Sequence, residues 1–540
     1  MKISGQIVDV RNRKIFPGSL VIEDGRIAEI LPNQEAPKVY IMPGFVDAHI
    51  HIESSMLTPT AFSEAAIRFG TVGTISDPHE IANVCGLEGV HYMIEDAKNA
   101  LVKIHFGAPS CVPATQFETA GAILSAGDVS LLLENPDIYY LSEVMNYPGV
   151  LMGDPSLLEM IAAAARLGKP VDGHAPGLTG PDAERYIQAG IDTDHECFSY
   201  EEARFKLDHG MKILIREGSA AKNFDALHSL IGEYADRMMF CSDDKHPDDL
   251  ILGHIDQLVV RALSWGYDLM DVLTMACINP VDHYGMKVGT LRVGDPADFI
   301  MVKDLDRFEV MEVYIDGKQA FQSGKIVSSN NYQPRIINQF NVSTANFSEL
   351  ALPAKDQPMP IIKAIDGALI TESIMDTLPI ENGLFVSDLK KDYLKICVVN
   401  RYRTAPISKA FIHGFGLKSG AIASTVAHDS HNIIAVGTDD AALESVIFTL
   451  LQNKGGLAVH HNGQTHNLAL PIAGLMSDQS AEVVASAYQR LDRLTKEMGC
   501  SLRAPFMTLS FMALLVIPKL KISDQGLFDA DKWDFLEAYA

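Results

Sequence analysis

Apolar and polar residues alternate over the first forty positions, in runs such as ISGQIVDV and SLVIEDGRIAEI that are broken by an Asp24-Gly25 turn signal. This is the pattern of short antiparallel strands joined by tight turns. The same texture returns after residue 288 in GTLRVGDPADFIMVKD and FEVMEVYIDGKQAF. Residues 1–40 and 289–340 are therefore predicted to pair into one β domain closed around the segment between them. That segment, about residues 41–288, alternates short β-branched or apolar runs with amphipathic stretches such as PSLLEMIAAAARLG. Strands alternating with helices over about 250 residues favour a (β/α)8 barrel, with a doubly wound sheet as the alternative from pattern alone. From about 327 to 360 the chain turns polar and Asn/Pro-rich, as a linker does, and residues 361–540 are predicted to form a separate α/β domain. The longest apolar run, Pro505 to Pro518, is shorter than the roughly 20 residues a membrane-spanning helix needs. It also contains Thr508 and Ser510, and is read as buried core.

A chain of 540 residues with 47% hydrophobic content is too long for one compact core, so two or three domains are expected. The formal charge of −25 argues against a non-specific grip on nucleic acid or on anionic membrane surfaces. Seven scattered cysteines form no CxxC pair, and the N-terminus lacks the apolar stretch of a secretory signal. A reducing, cytoplasmic setting is expected.

The strongest chemical signal is FVDAHIHIESSM, where His49 and His51 stand two apart in a β-branched run. Residues two apart on a strand face the same way, so both imidazoles can reach one ion. Four more polar residues follow short apolar runs and precede a turn or helix: Glu143, His174, His195 and Asp243. In a barrel that places them at the C-terminal rim, where catalytic groups collect. Four histidines and two carboxylates exceed what one tetrahedral ion uses, whereas two adjacent divalent ions sharing a carboxylate would use them all.

This order, followed by NPVDHYG and GTLRVGDPADFIMV, resembles the amidohydrolase superfamily. Within it, PGFVDAHIHIESSMLTP, GTVGTISDPHEIANVCG, EVMNYPGV, DGHAPGLTG, IREGSAAKN and SDDKHPDDL resemble the bacterial adenine deaminases. The similarity continues through STVAHDSHNIIAVGTDD, GLMSD and PFMTLSFMALLVIPKLKIS and so spans nearly the whole chain. It implies a distorted (β/α)8 barrel with a flanking β-sandwich, a site for two divalent ions (Mn²⁺ or Fe²⁺) and adenine as substrate; a homo-oligomer is a separate expectation. The resemblance also assigns His49 and His51 as first-strand ligands, Glu143 as the bridging carboxylate, His174 and His195 as ligands of the second ion, and Asp243 as ligand and base. No lysine stands at the Glu143 position, which disfavours enzymes that bridge their metals with a carbamylated lysine.

The chemistry so implied is hydrolysis of adenine to hypoxanthine and ammonia. An ion-bound water, its pKa lowered from about 15.7 towards 7, would add to C6 while an acid protonates N1. Related nucleoside deaminases carry a proton-donating glutamate just after the fifth-strand histidine, but here Ala175-Pro176-Gly177-Leu178 follow. Glu80 is the first candidate for the donor and Glu217 the second, with a helix first-turn carboxylate as the ordinary reading of Glu80. Arg216 is expected either to contact a group on the purine or to close a surface ion pair. Asp244 is expected to contact the purine or to cap a helix. His428, Asp429, His431, His460, His461 and Asp478 match no ligand spacing and are expected at caps or on the surface, in a domain that serves structure, assembly or closure of the site. Hydrolysis of another aminated heterocycle or a cyclic amide, or purine and metal binding without turnover, are the alternatives.

Overall fold

The computed structural model describes residues 1–327 and 332–539; residues 328–331 of the predicted linker lie outside the described residues. The N-terminal hairpin pairs Lys2–Asp9 with Lys14–Glu23, and a second hairpin adds Arg26–Pro32. Asp24 and Gly25 between them both take positive φ, 48° and 77°, the geometry that matches a two-residue turn to the twist of its strands. Asp316-Gly317 repeats the device at 48° and 72°. Tyr40–Pro43 then bridges the two ends of the chain, parallel to Lys2–Asp9 on one side and antiparallel to Phe299–Val302 on the other. One eight-stranded sheet results, extending through Val310–Ile315, Lys318–Gln322 and Lys325–Ile326. It encloses a small core of Ile7, Leu20, Ile22, Ile27, Phe299 and Tyr314. The sheet ends at Ile326, and Phe340, Val342 and Leu350 pack into the core of the C-terminal domain. The segment 340–350 therefore belongs with that domain rather than with the β domain or a free linker.

Between these halves stand eight parallel strands: β1 Phe45–Ile50, β2 Thr71–Ser76, β3 Lys103–Ala108, β4 Ile138–Val144, β5 Val171–Gly173, β6 Thr193–Asp194, β7 Lys212–Arg216 and β8 Met238–Cys241. The first five form one sheet and the last three another. The ring closes where the Asp243 amide donates to the His49 carbonyl at 2.9 Å, and where the Asp192 amide donates to the Val171 carbonyl at 2.8 Å. The shortness of β5 and β6 is the distortion. Helices cover the outside. Helix Pro155–Arg166, capped by Asp154, buries Leu157, Met160, Ile161 and Ala164, the spacing of a single helical face.

The C-terminal domain carries an eight-stranded sheet, flanked by helices Asp440–Asn453 and Ala481–Glu497, and a smaller sheet of three strands. It docks on the C-terminal rim of the barrel, with the Ser477 amide donating to the Met56 carbonyl at 2.8 Å and Tyr488 bonded to His246 at 2.7 Å. Helix Pro505–Phe511, from the long apolar run, is buried along its whole length. Among the described residues no helix is long and apolar enough to cross a membrane.

One buried ion network steadies the ends of β5 and β6. Lys206, fully enclosed, donates to Asp194 at 2.7 Å, to Glu202 at 2.8 Å and to the carbonyl of Ala175 at 2.8 Å. It thereby ties the residues next to His174 and His195. Lys206→Met strands two buried carboxylates, and breaking a buried pair in this way costs about 3–5 kcal/mol. Denaturant unfolding of the variant is expected to show a loss of that size, and an unchanged midpoint would show that the network does not hold the rim.

Candidate active site

The site begins on β1. His49 lies within the strand and His51 just beyond it, both buried, with their Nε2 atoms 3.1 Å apart. His51 Nδ1 donates to the Asp77 carbonyl at 3.2 Å, which leaves the Nε2 lone pair facing inward. Asp47, on the same strand, anchors the opposite side of the ring. Its Oδ1 accepts the Ser242 amide at 3.0 Å, and its Oδ2 lies 2.8 Å from His254 Nε2. That anchor holds the loop carrying Asp243, whose φ of 54° is left-handed, a conformation costing a non-glycine residue roughly 1–2 kcal/mol. Backbone bonds from Asp243 to both His49 and His51 keep it there.

Glu143, at the end of β4, occupies the centre. Its Oε1 is 3.2 Å from His51 Nε2, and its Oε2 is 2.7 Å from His174 Nδ1 and 3.2 Å from His195 Nε2. Asp243 Oδ1 is 3.3 Å from His51 Nε2 and 3.7 Å from His49 Nε2. Burial opposes ionisation of Glu143, yet the surrounding imidazoles, His174 foremost, hold it well below the usual carboxylate range. Burial likewise opposes Asp243, and Arg216, His51 and His195 together push it well down. Burial and the neighbouring His195 and His51 keep His49 well below its ordinary value and so neutral. All six residues selected from the sequence meet in one buried cluster. Donors sharing one ion at about 2.1 Å are spaced about 3–3.5 Å apart, and His49–His195–Asp243 and Glu143–His174–His195 each bring their ligand atoms within 4.8 Å of one another. The donor set thus fits divalent cations. His49 Nδ1 and His174 Nε2 are buried without a hydrogen-bond partner.

Two family models match the chain: "Amidohydrolase family" over residues 40–320 and "Adenine deaminase C-terminal domain" over residues 368–534. A curated adenine deaminase of Salinibacter ruber is 51% identical over 99% of this chain and 98% of its own length. One from a Sulfurovum species is 51% identical over 100% of this chain and 99% of its own. The chain belongs to the adenine deaminase family. Among solved structures, a β-aspartyl dipeptidase from Fervidobacterium islandicum AW-1 aligns with a TM-score of 0.46 and 14% identity, covering 62% of this chain and 100% of its own.

In this member of the adenine deaminase family the remaining sequence candidates divide. Glu80, in the first turn of helix His79–Ala97, is buried and borders the cavity beside the cluster. Asp244 borders the same cavity, accepts from Ser54 Oγ at 2.5 Å and caps no helix. Arg216 is buried and donates to Asp243 Oδ2 at 2.6 Å while clasping Glu196. It is therefore neither a surface ion pair nor a residue of the cavity wall, because its charge is spent on two carboxylates. Glu217 turns the other way, towards Arg261 at 3.1 Å and Lys222 at 3.6 Å, and does not reach the cluster. The expectation of surface or capping roles in the C-terminal domain fails for three residues. His428, Asp429 and His431 are buried, and their loop, residues 425–432, enters the barrel mouth. His460 and His461 are half-buried and Asp478 is exposed, away from the site. Phe511, Leu514 and Leu369 line the same cavity, so the C-terminal domain supplies one of its walls.

Two further residues, His79 and Glu196, join the cluster. His79 Nδ1 lies 2.9 Å from Asp77 and 3.6 Å from Glu143, and Glu196 Oε1 lies 3.5 Å from His195 Nε2. The only signal for either is adjacency to a chosen residue, His79 before Glu80 and Glu196 after His195.

Proposed function

We propose that this chain hydrolyses adenine to hypoxanthine and ammonia in the cytoplasm, using two divalent ions, Mn²⁺ or Fe²⁺, shared through Glu143. The observation that carries the reading is the convergence of His49, His51, His174, His195 and Asp243 around Glu143, in a chain about half identical over its full length to curated adenine deaminases. His49, His51 and Asp243 would hold one ion, and His174 and His195 the other. Bound there, the ions would lower the pKa of water towards 7.

The rest falls to side chains. Asp243 Oδ2 is occupied by Arg216, so Oδ1 is left to take the proton from water and return it to the departing amine. Glu80 borders the cavity as a carboxylate that would support protonation of N1, and Asp244, on the same cavity, would accept from the purine. The apolar wall of Phe511, Leu514 and Leu369 would lie against the flat face of the base.

The test is to load metal-free protein with Mn²⁺ and follow ammonia from adenine, adenosine and a set of cyclic amides. Ammonia and hypoxanthine are expected in equal amounts from adenine, with adenosine turned over poorly. Comparable turnover of adenosine would overturn the free-base pocket, and release from cyclic amides alone would overturn deamination.

A further inference from the structure

We propose that His428, carried by the C-terminal domain, is the residue that hands a proton to the purine ring, with Glu80 standing behind it as its anchor. The proposal rests on the adenine reading above and concerns which atom faces the substrate.

Both oxygens of Glu80 are engaged by histidines of the C-terminal loop. Its Oε2 receives His431 Nε2 at 2.5 Å. His431 Nδ1 accepts the Ala427 amide at 3.1 Å, so the neutral ring carries its proton on Nε2 and donates it to Glu80. The other oxygen, Oε1, is in contact with His428 Nδ1. Burial opposes ionisation of Glu80, but His428, His79 and His431 hold it well below the usual range. An ionised carboxylate with both oxygens occupied has no proton to deliver.

His428 has the complementary geometry. Its ring is buried, stacks on Phe511 at 4.5 Å and 13°, and borders the cavity shared by His51, Asp243 and Asp244. Nε2 has no hydrogen-bond partner and lies 3.9 Å from Asp244 Oδ1. A carboxylate that grips one imidazole nitrogen and leaves the other facing a reacting group is a recurrent way to orient an acid or base. The ionisable groups around the ring are Glu80, Asp244 and His246 from the barrel, and Asp429 at 3.9 Å and His431 from its own loop. Burial pulls the imidazole down, but Glu80 and Asp244 outweigh it and raise it to about 9, so the ring carries two protons at neutral pH.

The step balances as follows. The oxygen of water bonds to C6 while its proton goes to Asp243, and the C6–N1 π pair settles on N1, which takes the Nε2 proton of His428. The C6–N bond then breaks, and the amine leaves as ammonia with the proton from Asp243. The hydroxyl proton of the adduct is lost as the carbonyl forms, and through solvent it restores the imidazolium. Adenine and water become hypoxanthine and ammonia.

The experiment compares His428→Gln, Glu80→Gln and the double variant with the parent, by kcat, KM, pH profile and bound metal. Each single change is expected to lower kcat about 10²- to 10⁴-fold, with KM for adenine within a few-fold and both ions retained. The double variant is expected to be no worse than the singles, because the two residues act as one unit. The parent kcat/KM is expected to fall as pH rises through about 9, and that limb is expected to vanish in His428→Gln. Near-parent kcat in His428→Gln beside a crippled Glu80→Gln would make Glu80 itself the donor and overturn the assignment. If His428→Gln does not fold, the parent profile still decides, since full kcat/KM up to pH 10 would exclude an imidazolium acid. Ammonia release by the parent tests the adenine reading separately: an active parent with an unimpaired variant removes only His428, and an inactive parent removes both.

Discussion

Asp243→Asn is expected to lower kcat for adenine by at least about 10²- to 10⁴-fold, the usual loss when a positioned acid or base is removed, and to weaken one ion as well. The reason lies in how the two carboxylate oxygens are spent. Oδ2 accepts from the Arg216 guanidinium at 2.6 Å, while Oδ1 faces His51 and His49 at 3.3 and 3.7 Å. An asparagine in the same place must give its carbonyl to Arg216, since two donors cannot face each other at that distance. Its NH₂ then points where a cation and a proton acceptor are needed. Elemental analysis alongside the rate separates the two losses. A variant with both ions bound and near-parent kcat would remove Asp243 from the chemistry altogether.

What could be read from the sequence follows the range of each interaction. The strand period of two made the His49–His51 pair visible, and their Nε2 atoms are indeed neighbours. The alternation of strands and helices made the barrel visible, and with it the rim positions of Glu143, His174, His195 and Asp243. The turn chemistry of Asp24-Gly25 and Asp316-Gly317 foretold the hairpins of the outer sheet. These features depend on a few adjacent residues or on a regular repeat.

The rest depends on contacts that no spacing encodes. His431 meets Glu80 across 351 positions of sequence, and nothing in STVAHDSHN announces that its loop enters another domain. Arg216 ends a buried strand, as a substrate-binding residue would, but the carboxylate that captures it, Glu196, lies beyond the end of a different strand. Glu217, next to it, faces outward because consecutive residues at a strand end point to opposite sides. Composition also blurs where the C-terminal domain begins, since Phe340, Val342 and Leu350 are core residues of that domain within a polar stretch.

The replacement of Glu143 by glutamine is expected to be as damaging as that of Asp243, through metal rather than through proton transfer. Glu143 presents Oε1 to His51 and Oε2 to His174 and His195, so each oxygen serves a different part of the cluster. Glutamine keeps one oxygen and turns the other into a donor. One side of the cluster then loses its anionic ligand, and the imidazoles that held the carboxylate ionised lose their counter-charge. Metal content is expected to fall from two equivalents to about one after identical loading. Activity is expected to fall by more than the roughly 10- to 100-fold that follows loss of a residue hydrogen-bonded to a ligand. Excess Mn²⁺ in the assay is expected to raise occupancy by mass action, and the activity still missing at full occupancy measures what the carboxylate does beyond holding the ion. Two tightly held ions and parent-level turnover in Glu143→Gln would show that the carboxylate does not bridge, and that His79, 3.6 Å from Oε1, or another neighbour completes the site in its place.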